Sequence, residues 1–283
     1  MIDFPNLASR LFNTPLALHP AKAELVMAAL AERLGIAHLV RAGGEAVALA
    51  PPVLDGEPEP ARPYAVAGGI AIVPVQGTLV HKLGCLRPYS GMTGYDGIRA
   101  QLAMALADDE VRAIALDIDS PGGEVTGCFD LVDDIHAARG EKPIWAILGE
   151  HAYSAAYAIA SAADRVTVPR TGGSVGVIAL LTDLSRALDK AGITVNLITF
   201  GARKADGNEF EPLPKAARAR FQADIDALGE LFVATVARNR NLDPDTVRGT
   251  EAGTFLGAAG VEIGLADAVM PPDRALAALY DIL

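Results

Sequence analysis

Apolar positions along this chain fall into short runs separated by stripes at helical spacing. Ile70 to Val75 is one run, long enough for a single buried strand, and Val111 to Ile118 alternates through Ile114, Leu116 and Ile118. Ile144 to Leu148, Val166 to Val168 and Ile193 to Thr199 read as further strands. Between them, Tyr95 to Ala107 carries Ile98, Leu102 and Leu106 on one helical face, and residues 125–139 carry Phe129, Val132 and Ile135. Residues 154–163 read as a small-residue helix. Residues 215–240, the longest, align Phe221, Ile225, Leu228, Phe232 and Val236. Strand, crossover helix and strand in repetition predict an α/β fold: a parallel-strand core over residues 69–270 with crossover helices packed on it. His81 to Gly94, rich in Gly, Pro and Tyr, predicts a loop, and the glycines after Pro121 predict a turn.

The pattern ahead of this body differs. Residues 1–19 read as an irregular arm, and Pro20 to Leu34 as a helix ended by Gly35, giving an N-terminal helical arm over residues 1–42. Residues 43–68 gather Pro51, Pro52, Pro58, Pro60 and Pro63 among acidic residues, the composition of a linker. Residues 69–283 are then the main domain.

Composition removes several classes of function. A chain of 283 residues, 51% hydrophobic, can bury a sizeable core. With 24 basic against 35 acidic side chains the net charge is −11, which argues against nucleic acid or an anionic membrane as partner. Cys85 and Cys128 are too few for a disulfide framework and read as reduced thiols. The five histidines show no zinc-ligand spacing, so neither a metal site nor a cofactor is expected. No stretch approaches the ~20 apolar residues of a membrane span, and the N-terminus lacks the basic start and apolar run of a signal peptide. The chain is therefore expected to be soluble and cytoplasmic.

The chemistry narrows by elimination. Neither G-x-x-x-x-G-K-[ST] nor a strand-to-helix G-x-G-x-x-G is present, which sets nucleotides aside. Ser174 sits in a G-x-S-x-G run, but no histidine follows His151, so a Ser–Asp–His order is excluded. His151 lies three residues before Ser154, a local pairing that seldom has the geometry of a base. Lysine remains, and of the six in the chain Lys190, Lys204 and Lys215 follow Ser154. Asp117 to Glu124 lies at the C-terminal end of a strand, where parallel sheets bind ligands, and Gly122 and Gly123 can present backbone N–H groups there. Ser154 opens a helix at the end of the next strand, where a serine often serves only as an N-cap. Two neighbouring strand ends, one offering donors and one a hydroxyl, suit acyl transfer.

These segments carry a family resemblance. Asp119-Ser120-Pro121-Gly122-Gly123, Tyr153-Ser154-Ala155-Ala156, Thr171-Gly172-Gly173-Ser174-Val175-Gly176-Val177, and Gly257-Ala258-Ala259-Gly260 with Gly264-Leu265-Ala266-Asp267 resemble the signal peptide peptidase A family of serine proteases. That family shares the Clp protease/crotonase fold. The N-terminal Ala8 to Pro20 resembles the phage branch, the head-maturation (capsid assembly) proteases.

The resemblance implies a Ser-Lys dyad with Ser154 as nucleophile and Lys204 as base. It further implies an oxyanion hole from the N–H groups of Gly123 and Ala155, and Ser174 orienting the lysine. It implies a homo-oligomer acting on scaffold, portal or capsid-associated protein, in the host bacterial cytoplasm or inside the prohead. The chain is expected to lack the scaffold tail of some relatives, a scaffold then being a separate chain, or removed or omitted. For the lysine to accept a proton it must be neutral at working pH, which calls for burial and for Asp206 and Glu209 to point away from it. Three other readings stand beside this one. The first is a soluble bacterial signal-peptide-peptidase-like protease. The second is a crotonase-like acyl-CoA enzyme using Glu124 or Glu150. The third is a degenerate protease kept for assembly, against which the intact dyad argues.

Overall fold

A computed structural model of the chain describes residues 62–172, 190–192, 194–201 and 203–283, together with the backbone of residues 16–18, 39–40 and 46–47. The main sheet has six strands in the order β12-β11-β10-β8-β5-β4. They are β4 (Ala65–Ala67), β5 (Ile70–Gln76), β8 (Ala113–Ser120), β10 (Ile144–Ala152), β11 (Arg165–Val168) and β12 (Ala268–Val269). β5, β8, β10, β11 and β12 run parallel, and β4 is antiparallel at one edge. Helix α1 (Tyr95–Ala107) connects β5 to β8, α2 (Cys128–Ala137) connects β8 to β10, and α3 (Ala155–Ser161) connects β10 to β11. The parallel core with crossover helices is the α/β architecture that the apolar pattern predicts.

A second, smaller sheet grows out of the first. β5 ends at Gln76 and the chain restarts after Gly77 as β6 (Thr78–Val80). β8 ends at Ser120 and restarts after Pro121 as β9 (Gly122–Glu124). These two pair with β7 (Met92–Gly94) and with β1 (Leu16–Leu18) in the order β1-β9-β6-β7. One side chain ties the two corners together: Ser120 Oγ donates to the Gly77 carbonyl at 2.6 Å and accepts the Gly122 N–H at 3.1 Å. The predicted glycine turn after Pro121 is thus a strand, and the predicted 81–94 loop ends in one.

Other expectations shift as well. β10 runs on to Ala152, past the predicted end at Leu148, with a register shift against β8 between these two residues. Residues 194–199 form no strand, and Ile198 and Phe200 are fully exposed. Their alternation has β propensity, but a ladder needs a neighbour, and none pairs with them among the described residues. β4 lies inside the span read as linker, and so does β3 (Ala46–Val47), which pairs antiparallel with β2 (Leu39–Val40). Leu16–Leu18 lies in the arm read as irregular. The helix expected over Pro20–Leu34 falls outside the described residues.

Helix α4 (Lys215–Arg240) matches its predicted bounds and packs Phe232, Val236 and Ala237 into the core. Short helices α5 (Pro244–Arg248) and α6 (Ala258–Glu262) follow, and α7 (Pro272–Tyr280) covers the other face of the sheet through Ala275 and Leu279. Asp267, in the last of the family-like segments, holds this end in place. Its carboxylate accepts from Arg240 Nη1 and Nη2 at 3.0 and 2.8 Å and from the Val166 N–H at 2.6 Å. Burial works against the charged form, but the guanidinium and the amide outweigh it and hold the carboxyl below its ordinary range.

A depressed carboxyl stabilises the fold above the unfolded-state pKa, and that contribution is lost as pH falls through the folded value. Asp267→Asn is therefore expected to cost about 2–4 kcal/mol at neutral pH, because Arg240, 7% exposed, is left buried without its counter-charge. Urea unfolding of both proteins checks this: the gap should be wide at pH 7 and should narrow as pH falls through the folded value. A gap independent of pH would refute the ionic account.

Candidate active site

The site forms where β8 and β10, neighbours in the main sheet, reach their C-terminal ends. Ala152 stands opposite Ser120, and the Tyr153 N–H donates to the Ser120 carbonyl at 3.1 Å. The residue before the nucleophile candidate is thereby fastened to the residue before Pro121-Gly122-Gly123. Gly123 has to be glycine: a Cβ there would overlap the Leu79 carbonyl of β6. Gly122, at φ +97, supplies a conformation that L side chains rarely adopt. Ala155 is the first residue of α3, where helix geometry leaves the N–H without an intrahelical acceptor.

Ser154 departs from the ordinary helix-start serine. Its backbone stands at φ 54 and ψ −117, a region that glycine normally supplies. Its side chain makes no cap hydrogen bond. The residue is 6% exposed, and Oγ has no hydrogen-bond partner among the described residues. An N-cap serine accepts an N–H of the first turn; this hydroxyl is held off that position by the strained backbone. It faces a small apolar cleft formed with Val125, Phe129, Leu228 and Phe232. All seven residues of α3 are buried, five of them Ala or Ser. Its C-terminal carbonyls are capped by Arg139, which donates to Ser161, Ala162 and Ala163 at 3.0, 2.7 and 2.6 Å.

The four family-like segments converge on this point through backbone contacts. The first two meet at the Ser120–Tyr153 bond. The third begins beside them: a Cβ on Gly172 would collide with the carbonyls of Gly149 and Glu150, and Thr171 Oγ1 donates to Glu150 at 2.7 Å. The fourth docks on the third, the Gly257 N–H donating to the Gly172 carbonyl at 3.2 Å. Ser174 itself falls outside the described residues.

Lys204 lies in an exposed turn, its N–H donating to the Gly201 carbonyl at 3.1 Å. No hydrogen bond joins it to Ser154. Lys190 and Lys215 are exposed too, so exposure does not single out one lysine. Asp206, two residues on, is drawn toward α4, accepting from Arg220 Nε at 3.0 Å.

The carboxylates that the acyl-CoA reading needs are already engaged. Glu124 accepts the His81 N–H at 2.6 Å, and Glu150 accepts from Thr171. His151 leans on Asp119, with Nδ1 3.1 Å from Oδ1. That Asp119–His151 pair and the Ser120 bridge are features sequence reading passed over, although all three residues sit within or beside the quoted segments. Both cysteines are free; burial pushes the Cys128 thiol up to about 12. Among the described residues, no helix is long and apolar enough to cross a membrane.

Comparison with known proteins shows the family. Residues 88–171 match the Clp protease family and residues 136–281 match peptidase family S49. Over 99% of its length the chain is 44% identical to the head-tail preconnector protein GP5 of Enterobacteria phage P21, spanning 58% of that protein. It is 40% identical, again over 99% of its length, to the capsid assembly protease C of Escherichia phage lambda, spanning 66% of that protein. Protease 4 of Haemophilus influenzae is 26% identical over 75% of this chain, which spans 34% of that relative. The chain spans less than two thirds of each of these relatives. With a parallel sheet that presents Gly123 and Ser154 at adjoining strand ends, and a family match covering half its length, this chain belongs to peptidase family S49.

Proposed function

We propose that this chain is a serine endopeptidase working through a Ser154–Lys204 dyad. The observation that carries the reading is the Ser154 hydroxyl: buried, without a hydrogen bond among the described residues, and held by a strained backbone at a parallel strand end. Oγ attacks the peptide carbonyl carbon while its proton passes to Lys204 Nζ. The Gly123 and Ala155 N–H groups receive the negative oxygen. The proton then goes to the departing amine, and water releases the acyl group from Oγ by the reverse path. Ser174 orients the lysine, and residues 69–283 are the catalytic unit.

Lys204 is exposed in the single chain, and Ile198 and Phe200 on the same stretch lie open to solvent. A second copy seated on that patch would bury both the apolar side chains and the amine, which supports a homo-oligomer. The phage relatives support protein substrates of the growing head, namely scaffold, portal or capsid-associated chains, and hence work in the host bacterial cytoplasm or in the prohead.

A fluorophosphonate probe tests the reaction class. It should label the chain once, and Ser154→Ala should abolish the label. Labelling that survives this substitution sinks the assignment.

A further inference from the structure

β9 has two sides. On one, Gly123 pairs with Leu79 of β6. On the other lies β1, antiparallel, with Leu18 opposite Gly122, Ala17 opposite Gly123 and Leu16 opposite Glu124. β1 is the last strand of its sheet, so without it β9 would be an open edge. Such an edge offers unpaired N–H and C=O groups to any extended chain.

This edge has a particular address. Gly123, at its centre, is the proposed oxyanion donor, and the Tyr153–Ser120 bond holds the Ser154 strand end against the start of β9. A carbonyl bound to the Gly123 N–H and in reach of Ser154 belongs to a chain that must run beside β9. That is the path on which Leu16-Ala17-Leu18 already lies. Two chains cannot pair with one edge.

Resting on the protease reading above, we propose that the outer edge of β9 is a peptide-docking edge whose resident occupant is the chain's own segment Leu16–Leu18. Incoming substrate competes with this segment for the same backbone groups. The occupant pairs over three residues, so a longer extended peptide, pairing over more, can displace it. The substrate class that follows is an unfolded stretch in extended conformation, without proline at the paired positions, since proline has no N–H to give the ladder.

The test uses the full chain with Ala17→Pro and Leu18→Pro together. Adjacent residues of a strand point their N–H groups to opposite sides, so one of the two substitutions removes a group facing β9. Amide exchange at Gly122, Gly123 and Glu124 should quicken in this double variant. It should slow again when a peptide with the sequence of residues 11–23 is added. In a Ser154→Ala background, the same peptide carrying fluorescein should bind about tenfold more tightly to the double variant, as expected if the edge is open ~10% of the time in the parent. Unchanged exchange and unchanged affinity, in variants that melt at the parent temperature, overturn the proposal.

Fluorophosphonate labelling separates the two readings, since so small a probe does not need the edge. Labelling of Ser154 with no gain in peptide affinity refutes the docking edge alone. A gain in affinity without labelling refutes the protease reading and leaves the edge standing.

Discussion

Ser154→Gly should give a protein that is catalytically dead yet harder to unfold. At φ 54 and ψ −117 a residue with a Cβ carries strain of ~1–3 kcal/mol, which glycine escapes. Glycine's greater freedom in the unfolded chain takes back ~0.5–1 kcal/mol. The buried hydroxyl has no hydrogen bond to lose among the described residues, so its removal adds no penalty there. The expected outcome is a gain of about 1 kcal/mol by urea denaturation, with peptide turnover down by about 10⁴-fold or more. Ser154→Ala should be equally inactive and close to the parent in stability, since no cap bond is broken. Two results would count against this account: residual turnover in either variant, or a Ser154→Gly protein weaker than Ser154→Ala.

Lys204→Arg should be as inactive as Lys204→Ala. In the proposed dyad the proton from Ser154 needs an uncharged acceptor, and guanidinium stays protonated in proteins. Loss of a general base removes about 10²–10⁴ in rate. Turnover by the parent should rise toward alkaline pH as the neutral amine becomes populated. Lys190→Arg and Lys215→Arg should retain activity. Under the proposed assembly, in which a second copy covers the surface around Lys204, Phe200→Asp should lower both the assembled mass and the rate. Measuring cleavage by these variants from pH 6 to 10, with sedimentation alongside, decides the matter. Robust turnover by Lys204→Arg moves the base to another residue.

How far the chain could be read in advance depended on element length. α1 and α4 were legible to the residue, because Ile98 and Leu102, or Phe232 and Val236, recur over several turns. β8 was legible from the alternation of Ile114, Leu116 and Ile118. β6, β7 and β9 have three residues each, too few to show a period, and in β9 two of the three are glycine. The strand expected over Ile193–Thr199 had the right alternation but depended on a neighbour that local pattern does not reveal.

At the site, residue types and order pointed to Gly123 and Ser154, the family resemblance added Ala155, and the fold sets their strand ends side by side. What no pattern could reveal is the backbone torsion of Ser154. An N-cap serine and a strained, unbonded one have the same letter and the same neighbours.

The pairing of β1 with β9 also bears on how the molecule is made. It joins segments about a hundred residues apart, and closing a loop of that size costs about 4 kcal/mol of chain entropy before any hydrogen bond forms. β9 itself is laid down by its continuity with β8 and its contact with β6, both far closer in the chain. β1 leaves the ribosome before β9 does, yet it can pair only once β9 is in place. Under the docking-edge reading, each newly folded molecule passes through a period with its edge uncovered. Its encounters with other chains are least restrained then, early in its life and in the compartment where it was synthesised.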